Sequence, residues 1–221
     1  MKEKVAILVD GDFFIRRHFR HFGKTHDEIS PAQMATNIHN HCLKHLDKDR
    51  DMLYRIFFYD CKPLTKKVHY PVSRKALDLS KTPLCIYRLQ LHKELISKPC
   101  LALRYGYLDE KNASWQLKDS KKLQKLAIKE LSIDDLSDDD FIYYAKQKGV
   151  DMKIGIDIST LAINKLVDKI VLISGDSDFV SAAKLARTHG LHFTLDPMGN
   201  PIREDLQEHI DYLKTTLHSL K

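Results

Sequence analysis

Short apolar runs, separated by stretches with helical patterning, constrain the fold of this chain more than any other feature. The runs are too short to be buried helices, and charged or turn-forming residues bound them. Four of them predict buried β-strands, at residues 4–10 (KVAILVD), 52–60 (MLYRIFFYD), 169–174 (KIVLIS) and 191–196 (LHFTLD). Strands that alternate with helices form parallel sheets covered on both faces. We therefore predict an α/β fold, a three-layer α/β/α sandwich around a mainly parallel central sheet.

Helical patterns and turn signals fill the segments between these strands. Ser30-Pro31 predicts a helix start, because serine caps helices and proline favours their first turn. The predicted helices cover approximately residues 16–21, 31–48, 83–97, 119–147, 151–166, 177–190 and 203–219. Residues 101–108 and 114–118 predict two further strands around a turn. We expect one domain spanning residues 1–221, with an elaboration inserted at about residues 61–118.

Composition and charge narrow the class of protein. The 221 residues are 43% apolar, which is enough for a sizeable core. We expect a cytoplasmic protein with no membrane association, because the sequence has no run of about 20 apolar residues and no signal-peptide cleavage pattern. Four widely spaced cysteines predict free thiols. The formal net charge of +6 permits a polyanionic partner without establishing one.

Aspartates collect where the predicted strands end. Asp10 ends the first strand, and Asp176 and Asp178 follow the strand at residues 169–174. Asp151 stands at the start of a predicted helix near the same edge. Ligands of such sheets bind beyond the carboxyl ends of the strands. The sequence therefore predicts an acidic site at that edge.

This concentration of carboxylates predicts a bound cation. At about 4 Å and an effective dielectric constant of about 20, each like-charge pair costs on the order of 4 kcal/mol. Carboxylate oxygens, with no histidine or cysteine at matching spacing, favour Mg²⁺ or Mn²⁺ over zinc. Such ions serve phosphoryl transfer by activating water and stabilising the leaving oxygen. The 12 histidines show no H-E-x-x-H or similar pattern, and we assign none of them to catalysis.

Three sequence blocks resemble those of a known family. ILVDG (7–11), KGVDMKIGID (148–157) and ISGDSDF (173–179) resemble the signature blocks of the NYN domain, the LabA-like branch of the PIN-like nuclease superfamily. The resemblance implies a PIN-like, Rossmann-like fold and divalent-metal-dependent ribonuclease activity. The catalytic, metal-holding residues that it implies are Asp10, Asp151, Asp176 and Asp178. Asp157 would be a supporting acid of the same site.

One position departs from the family pattern. Members commonly carry Asn three residues after the first Asp, and this chain has Phe13 there. Asp12, which also lies at the strand exit, could supply the missing polar group. Lys148, three residues before Asp151, could reach a phosphate near the metal. We predict Asp12, Lys148 and Ser177, which lies between the two late aspartates, as supporting residues.

Each of these residues also has a purely structural interpretation. Asp178 and Asp151 could cap the helices that follow them, since Asp is a preferred N-cap residue. Asp10 followed by glycine could form a turn, and Asp157 could be a solvated helix residue. Lys148 could likewise be a surface residue in a glycine turn. The convergence of the acids in order and location favours a shared site.

Basic residues near the predicted acidic site could bind RNA. Four cations in the segment after the first strand could neutralise phosphates of an entering strand: Arg16, Arg17, Arg20 and Lys24. A solvated basic helix face explains them equally well. Residues 62–75 mix lysine, arginine, histidine and tyrosine, which suits single-stranded nucleic acid, although basic loops are usually just solvated.

The predicted function is a metal-dependent ribonuclease that hydrolyses single-stranded or structured RNA with Mg²⁺ or Mn²⁺. Two alternatives remain open. A HAD-like phosphatase would use Asp10 and Asp12 as its D-x-D pair and GDSD as its late acidic motif. An RNA-binding or regulatory module with a degenerate site is the non-enzymatic alternative. A homo-oligomer is possible, but no heptad or apolar stripe indicates one.

Overall fold

The computed structural model describes residues 2–216, apart from the side chain of Ser177, and contains a six-stranded parallel sheet. In chain order, the strands are β1 (Glu3–Asp10), β2 (Asp51–Asp60), β3 (Lys67–His69), β4 (Ala76–Asp78), β5 (Leu101–Tyr105), β6 (Tyr107–Leu108), β7 (Ser114–Leu117), β8 (Phe141–Tyr144), β9 (Gln147–Lys148), β10 (Lys169–Ile173), β11 (His192–Asp196) and β12 (Tyr212–Leu213). The central sheet has the order β12-β11-β10-β1-β2-β5, and each neighbouring pair is parallel. The predicted parallel sheet is confirmed.

Helices cover both faces of this sheet. They are α1 (Gly11–Phe22), α2 (Pro31–Leu43), α3 (Pro83–Ile96), α4 (Ser120–Ala127), α5 (Val150–Ile163), α6 (Val180–Thr188) and α7 (Glu204–Gln207). Phe14, Met34 and Leu91, from the first three helices, pack on one face. Ile158 of α5 and Ala183 of α6 pack on the other, which makes the predicted three-layer sandwich. Within residues 2–216, no helix is long and apolar enough to cross a membrane.

β1 is a central strand of the sheet, and its sequence suits that position. Residues 5–9 (VAILV) are fully buried, as expected for a parallel strand covered on both faces. β1 pairs with β2 on one side and with β10 on the other, so Val9 lies beside Ile173. This register places Asp10 next to the strand that leads to Asp176.

Gly11 makes the tight connection between β1 and α1. A Cβ atom at this position would lie 2.5 Å from the Phe58 ring and 2.6 Å from the Tyr59 carbonyl oxygen. Because that carbonyl belongs to β2 and cannot move freely, we expect Gly11→Ala to lower the free energy of unfolding by about 1–3 kcal/mol. Urea denaturation measures this loss.

Gly155→Ala is the matched control for that experiment. Gly155 lies within α5, and apart from the neighbouring backbone of that helix no atom lies within 4 Å of the position that its Cβ would take. Alanine is the better helix former by up to about 1 kcal/mol, so this variant should be as stable as the wild type or more so. Equal stability of the two variants would show that the close approach at Gly11 has no cost.

Two predicted helices are longer than the structure shows. The helix predicted at residues 31–48 ends at Leu43, after which the chain continues in turns. The helical pattern predicted at residues 119–147, with a break at the acidic residues 137–140, forms an α-helix only as far as Ala127, and the prediction is wrong beyond it. Its last part contains β8 and β9, because the aromatic and β-branched side chains of Phe141–Tyr144 favour a strand that pairs with β7.

The helix predicted at residues 203–219 is also mostly wrong. It is helical only in α7, a single turn at Glu204–Gln207. The following residues form β12, because β11 would otherwise leave unpaired backbone groups at the sheet edge. Residues 217–219 of this prediction lie outside the described part of the chain.

Residues 61–148 add three small antiparallel sheets to the central fold. β3 pairs with β4, β6 with β9, and β7 with β8. The two segments predicted as strands around a turn, 101–108 and 114–118, therefore pair with other partners. β5 extends the central sheet beside β2, and α3 packs on that sheet. The segment expected as an elaboration, residues 61–118, thus includes two elements of the central fold.

Candidate functional site

A cavity of about 560 Å³ opens at the carboxyl edge of the central sheet. Four of the predicted acids line it: Asp10, Asp12, Asp151 and Asp176. Asp10 ends β1, Asp151 stands in the first turn of α5, and Asp176 follows β10. The adjacency of β1 and β10 therefore brings together acids that lie far apart in the sequence. We call these four residues the acidic cluster.

Asp10 is the most perturbed acid of the cluster. Its side chain caps α1 by accepting a hydrogen bond of 3.1 Å from the Phe13 backbone N–H. Burial raises the pKa of Asp10 to about 6, and the negative charges of Asp12 and Asp151 act in the same direction against the lowering effect of the cap bond. Asp10 is therefore both a helix cap and a poorly solvated carboxyl group.

Asp151 does not cap the helix on which it lies. Gly149 is the N-cap residue of α5, and no side chain bonds to the first backbone N–H groups there. Burial raises the pKa of Asp151, and the charges of Asp176 and Asp178 raise it further. The capping interpretation of Asp151 is therefore wrong, and its carboxylate faces other carboxylates.

The two acids after β10 have different roles. The Asp176 backbone N–H donates to Ser174 Oγ at 3.2 Å, and Asp176 Oδ1 accepts from the Asp178 backbone N–H at 2.9 Å. Asp178 does not cap α6, whose N-cap is Phe179 without a side-chain cap bond. Asp178 is exposed and lines a neighbouring groove together with Asp151. It stands at the rim of the site, outside the cavity.

The donor set of the acidic cluster fits a hard divalent cation. All four residues offer carboxylate oxygens, which Mg²⁺ and Mn²⁺ prefer as protein ligands. Among residues 2–216, no three of these oxygens lie within 4.8 Å of one another. The acids would have to draw together around one ion, whose charge would offset the repulsion between them.

Sequence reasoning missed three residues beside the cluster. Asp60 ends β2 and is buried, with its carboxylate 2.5 Å from Arg88 Nη2 and 2.6 Å from His92 Nε2. Arg88 Nη1 also lies 3.7 Å from Asp12 Oδ1, and Arg88 lines the cavity. Asp60 was detectable as a third aspartate at a strand end. Nothing local marked Arg88 or His92 as its partners, because they lie on α3.

The structure separates two predicted supporting residues from the cavity. Asp157 accepts a hydrogen bond of 2.7 Å from the Tyr59 hydroxyl and one of 3.1 Å from Arg104 Nε. Lys148 Nζ lies 2.6 Å from Asp109 Oδ2. Neither residue lines the cavity. The side chain of Ser177, the remaining supporting prediction, lies outside the described part of the structure.

The four predicted RNA-binding cations after β1 lie in different surroundings. Arg16 lines the cavity and pairs with Asp12 at 3.0 Å. Arg17 instead donates to the Met198 carbonyl oxygen, at 2.7 Å from Nη2 and 3.2 Å from Nε. Arg20 and Lys24 are exposed and do not line the cavity. Arg16 alone of the four stands beside the acids.

Phe13 has a packing role that explains the departure from the family pattern. Its side chain is 8% exposed and belongs to the core under α1. A Cβ atom added to Gly175 would lie within 2.4 Å of the Phe13 ring, and Asn200 Nδ2 would be 3.0 Å away. Phe13 thus supports the loop that carries Asp176, and only glycine fits against it.

The raised pKa of Asp10 gives a testable pH dependence. In protein stripped of divalent ions, protonated Asp10 is favoured by folding, so its contribution to stability is present below about pH 4 and lost as the pH rises through about 6. Compared with Asp10→Asn, the wild type should therefore lose roughly 2–3 kcal/mol of unfolding free energy over this range. Urea denaturation of both proteins at several pH values measures the difference. A difference that does not change with pH would contradict the assignment.

Comparison with known proteins identifies a family. The sequence profile of the NYN domain matches residues 68–212, more than half of the 221 residues. This range contains Asp151, Asp176 and Asp178, and it begins after Asp10. No curated protein matches the chain.

Two solved structures are similar to this one. A protein of unknown function from Vibrio parahaemolyticus has 16% sequence identity and a TM-score of 0.49, with 99% of this chain and 95% of that chain covered. A structure described as the structural basis for sirtuin substrate affinity has 10% identity and a TM-score of 0.31, with 96% and 86% covered. Neither similarity is strong enough to carry an argument about function.

The family match agrees with the architecture. NYN domains have a PIN-like α/β/α fold, which is the arrangement of this sheet and its helices. They are nuclease-like, RNA-related domains that typically use divalent metals. The chain belongs to the NYN domain family.

Proposed function

We propose that this protein is a metal-dependent ribonuclease that hydrolyses RNA phosphodiester bonds at the acidic cluster. The observation that carries the proposal is the raised pKa of Asp10 and Asp151 in one cavity. Neither carboxylate forms an ion pair with any residue in the described range 2–216. Asp10 is partly buried and Asp151 is exposed at the mouth of the cavity, and gathering carboxylates in this way is unfavourable unless a cation joins them. The nuclease-like family supplies the RNA-related context.

Each acid has a distinct part in this proposal. Asp10, Asp151 and Asp176 would hold Mg²⁺ or Mn²⁺, with Asp178 at the rim. When bound, the ion polarises the phosphate and lowers the pKa of a water molecule that attacks it. Asp10 is held in place by its cap bond to Phe13, and Asp176 by the Asp178 backbone N–H. These bonds orient the two carboxylates, which would still have to move closer together around one ion.

Two arginines of the cavity suit the phosphates of RNA. Arg16 and Arg88 both line the cavity, and both are drawn to Asp12, at 3.0 Å and 3.7 Å. Arg88 is only 12% exposed and is anchored from behind by Asp60. Arginine neutralises phosphate and can bind it through two N–H groups. In this proposal Asp12 positions the two arginines for phosphate and is less important as a metal ligand.

An aromatic wall from the middle region suits single-stranded RNA. Tyr143 and Tyr144 of β8 line the same cavity as the acids, together with Lys146. The Tyr144 side chain is exposed, and Lys66 Nζ lies 5.0 Å from the centre of the Tyr143 ring. Tyrosine rings stack on bases, and nearby lysines neutralise the backbone. Unpaired bases could therefore lie against this wall.

We expect Tyr144→Ala to weaken binding of single-stranded RNA. Loss of one stacking side chain costs about 1–3 kcal/mol, which corresponds to roughly 5-fold to 150-fold in the dissociation constant. Fluorescence anisotropy with labelled RNA in a chelator measures binding without cleavage. Tyr212→Ala, at an exposed tyrosine of the edge strand β12, is the control and should bind as the wild type does. Equal weakening of RNA binding in both variants would exclude specific stacking of bases on the aromatic wall.

The experiment that tests the proposed function uses the wild-type protein and two substrates. A labelled, mixed-sequence single-stranded RNA and p-nitrophenyl phosphate are each incubated with Mg²⁺, Mn²⁺ or EDTA. We expect cleavage of the RNA with the metals and none in EDTA, and no release of p-nitrophenol. Hydrolysis of p-nitrophenyl phosphate alone would favour the phosphatase alternative. RNA binding without cleavage in any metal would favour the non-enzymatic module.

A further inference from the structure

A second group of possible metal ligands lies beneath α2, outside the acidic cavity. His41 Nε2 lies 2.8 Å from Asp196 Oδ2, and His45 Nε2 lies 2.9 Å from the same oxygen. All three side chains are buried, and their ligand atoms lie within 4.8 Å of one another. Within the described residues 2–216, no other group of three possible metal ligands is this close.

The fold holds these three residues from two layers. His41 lies in the last turn of α2, His45 lies in the turn that follows the helix, and both rings are buried. Asp196 ends β11, and its Oδ1 accepts from the Met198 backbone N–H at 2.8 Å. Oδ2 is thereby left for the two imidazoles. No local pattern marks this group, because the histidines and Asp196 lie 151 or more positions apart in the chain.

Thr216 and a cavity adjoin the His41 ring. Thr216 Oγ1 lies 3.2 Å from His41 Nδ1 and 3.0 Å from His41 Nε2, so its hydroxyl contacts both nitrogens of this ring. His45 Nδ1 is buried without a hydrogen-bond partner, so a ligating His45 would lack the outer hydrogen bond that usually orients such a ring. A cavity of about 460 Å³ is lined by His41, whereas His45 and Asp196 lie deeper and do not line it.

The distances within the group are those of hydrogen bonds and are somewhat shorter than the ligand–ligand distances of tetrahedral coordination. With metal–ligand bonds of about 2.0–2.1 Å, neighbouring ligand atoms of a zinc site lie about 3.3 Å apart. Asp196 Oδ2 lies 2.8 Å from His41 Nε2 and 2.9 Å from His45 Nε2. These atoms would have to move apart by roughly half an ångström to admit the ion. Two imidazoles and one carboxylate select Zn²⁺ and related ions over Mg²⁺, which takes all-oxygen sites.

We propose that His41, His45 and Asp196 form a site for a divalent transition metal of the zinc type, distinct from the acidic cluster. The ion ties the end of α2 to the end of β11. The loop after Asp196 is clamped by Arg17 at Met198 and approaches Gly175 through Asn200. The site therefore braces the loop that carries Asp176 from behind. It does not depend on whether the acidic cluster cleaves RNA.

The test is a titration of metal-stripped protein with Co²⁺, followed by visible absorption. Tetrahedral Co²⁺ absorbs in the visible range, and hexa-aqua Co²⁺ or an all-oxygen site absorbs far less. We expect the wild type to bind one equivalent with this absorption, and Zn²⁺ to displace it. Asp196→Asn, which keeps the shape of the side chain, should bind at least about 100-fold more weakly, because even loss of an outer partner costs roughly 10–100-fold.

Two controls separate this site from others. His192→Ala removes an exposed histidine from the same strand, β11, and should keep the signal. Asp176→Asn alters only the acidic cluster and should also keep it. No Co²⁺ absorption in the wild type, or unchanged absorption in Asp196→Asn, would overturn the proposal.

A measurement on the wild type covers the case in which Asp196→Asn fails to fold. Because an ion that binds only the folded state stabilises it, the thermal unfolding midpoint should rise with Zn²⁺ concentration. In the Asp176→Asn variant, Mg²⁺ at the same concentrations as Zn²⁺ should not raise the unfolding midpoint in this way. An unfolding midpoint that does not respond to Zn²⁺ would overturn the proposal without any variant of the site.

Discussion

Asp10→Asn is expected to lower the rate of metal-dependent RNA cleavage by at least about 100-fold without lowering the stability of the metal-free protein at pH 7. Asparagine is as good an N-cap as aspartate, so α1 keeps its cap. The loss is therefore specific to the charge that would hold the metal. The estimate is conservative, because loss of a partner outside the metal's direct ligands already costs roughly 10–100-fold. Cleavage of labelled RNA at saturating Mn²⁺ measures it.

Asp157→Asn is the matched control for this experiment. Asp157 lies on α5 six residues after Asp151, but its carboxylate is bound by Tyr59 and Arg104, away from the cavity. We expect this variant to cleave within a few-fold of the wild-type rate. If Asp157→Asn lost as much activity as Asp10→Asn, Asp157 would contribute to the site and our definition of the acidic cluster would be wrong.

The second large effect is expected on stability, at Asp60. Asp60→Ala removes a buried carboxylate that both Arg88 and His92 contact. Breaking a buried pair costs about 3–5 kcal/mol, because the remaining partner stays buried without its counterion. We therefore expect a loss of this size in the free energy of unfolding at pH 7, measured by urea denaturation.

A surface pair supplies the comparison for Asp60. Asp205 pairs with Arg203 at 2.5 Å, and both side chains are about half exposed or more. Exposed pairs contribute about 0–1 kcal/mol, so Asp205→Ala should stay within that range. A loss below 1 kcal/mol in Asp60→Ala would show that Arg88 and His92 find other partners, and that Arg88 is not anchored for RNA.

The central fold could be predicted because its signals are local. The run at residues 4–10 is apolar at five successive positions, which only a strand buried on both faces explains well. The acids at the ends of β1 and β10 follow from strand direction and adjacency alone. The helix start at Ser30-Pro31 is likewise predicted from two neighbouring residues, and Ser30 does cap α2.

The errors arose where distant partners decide the local structure. Phe141–Tyr144 becomes a strand because β7 lies beside it, and the helical spacing of its neighbours gave no sign of that pairing. β12 forms because the edge of β11 is free to accept it. The Asp60, Arg88 and His92 group and the His41, His45 and Asp196 group depend on contacts between helices and strands far apart in the chain.

The role of Phe13 shows how one residue can mislead. The family pattern has asparagine at this position, so the phenylalanine suggested that the site lacks a polar residue. The structure shows it packed against Gly175, where its ring supports the loop that carries Asp176. Pattern comparison cannot separate a lost ligand from a residue recruited for packing, because both replace the same asparagine.

The rate of cleavage of one labelled single-stranded RNA, measured against Mn²⁺ concentration for the wild type and for Asp176→Asn, tests the ribonuclease assignment most directly. We expect the wild-type rate to rise with Mn²⁺, reach saturation and fall to background in EDTA. Asp176→Asn, with an unchanged circular dichroism spectrum, should stay at background throughout the titration. Cleavage by the variant with the Mn²⁺ dependence of the wild type would contradict the assignment of RNA hydrolysis to the acidic cluster.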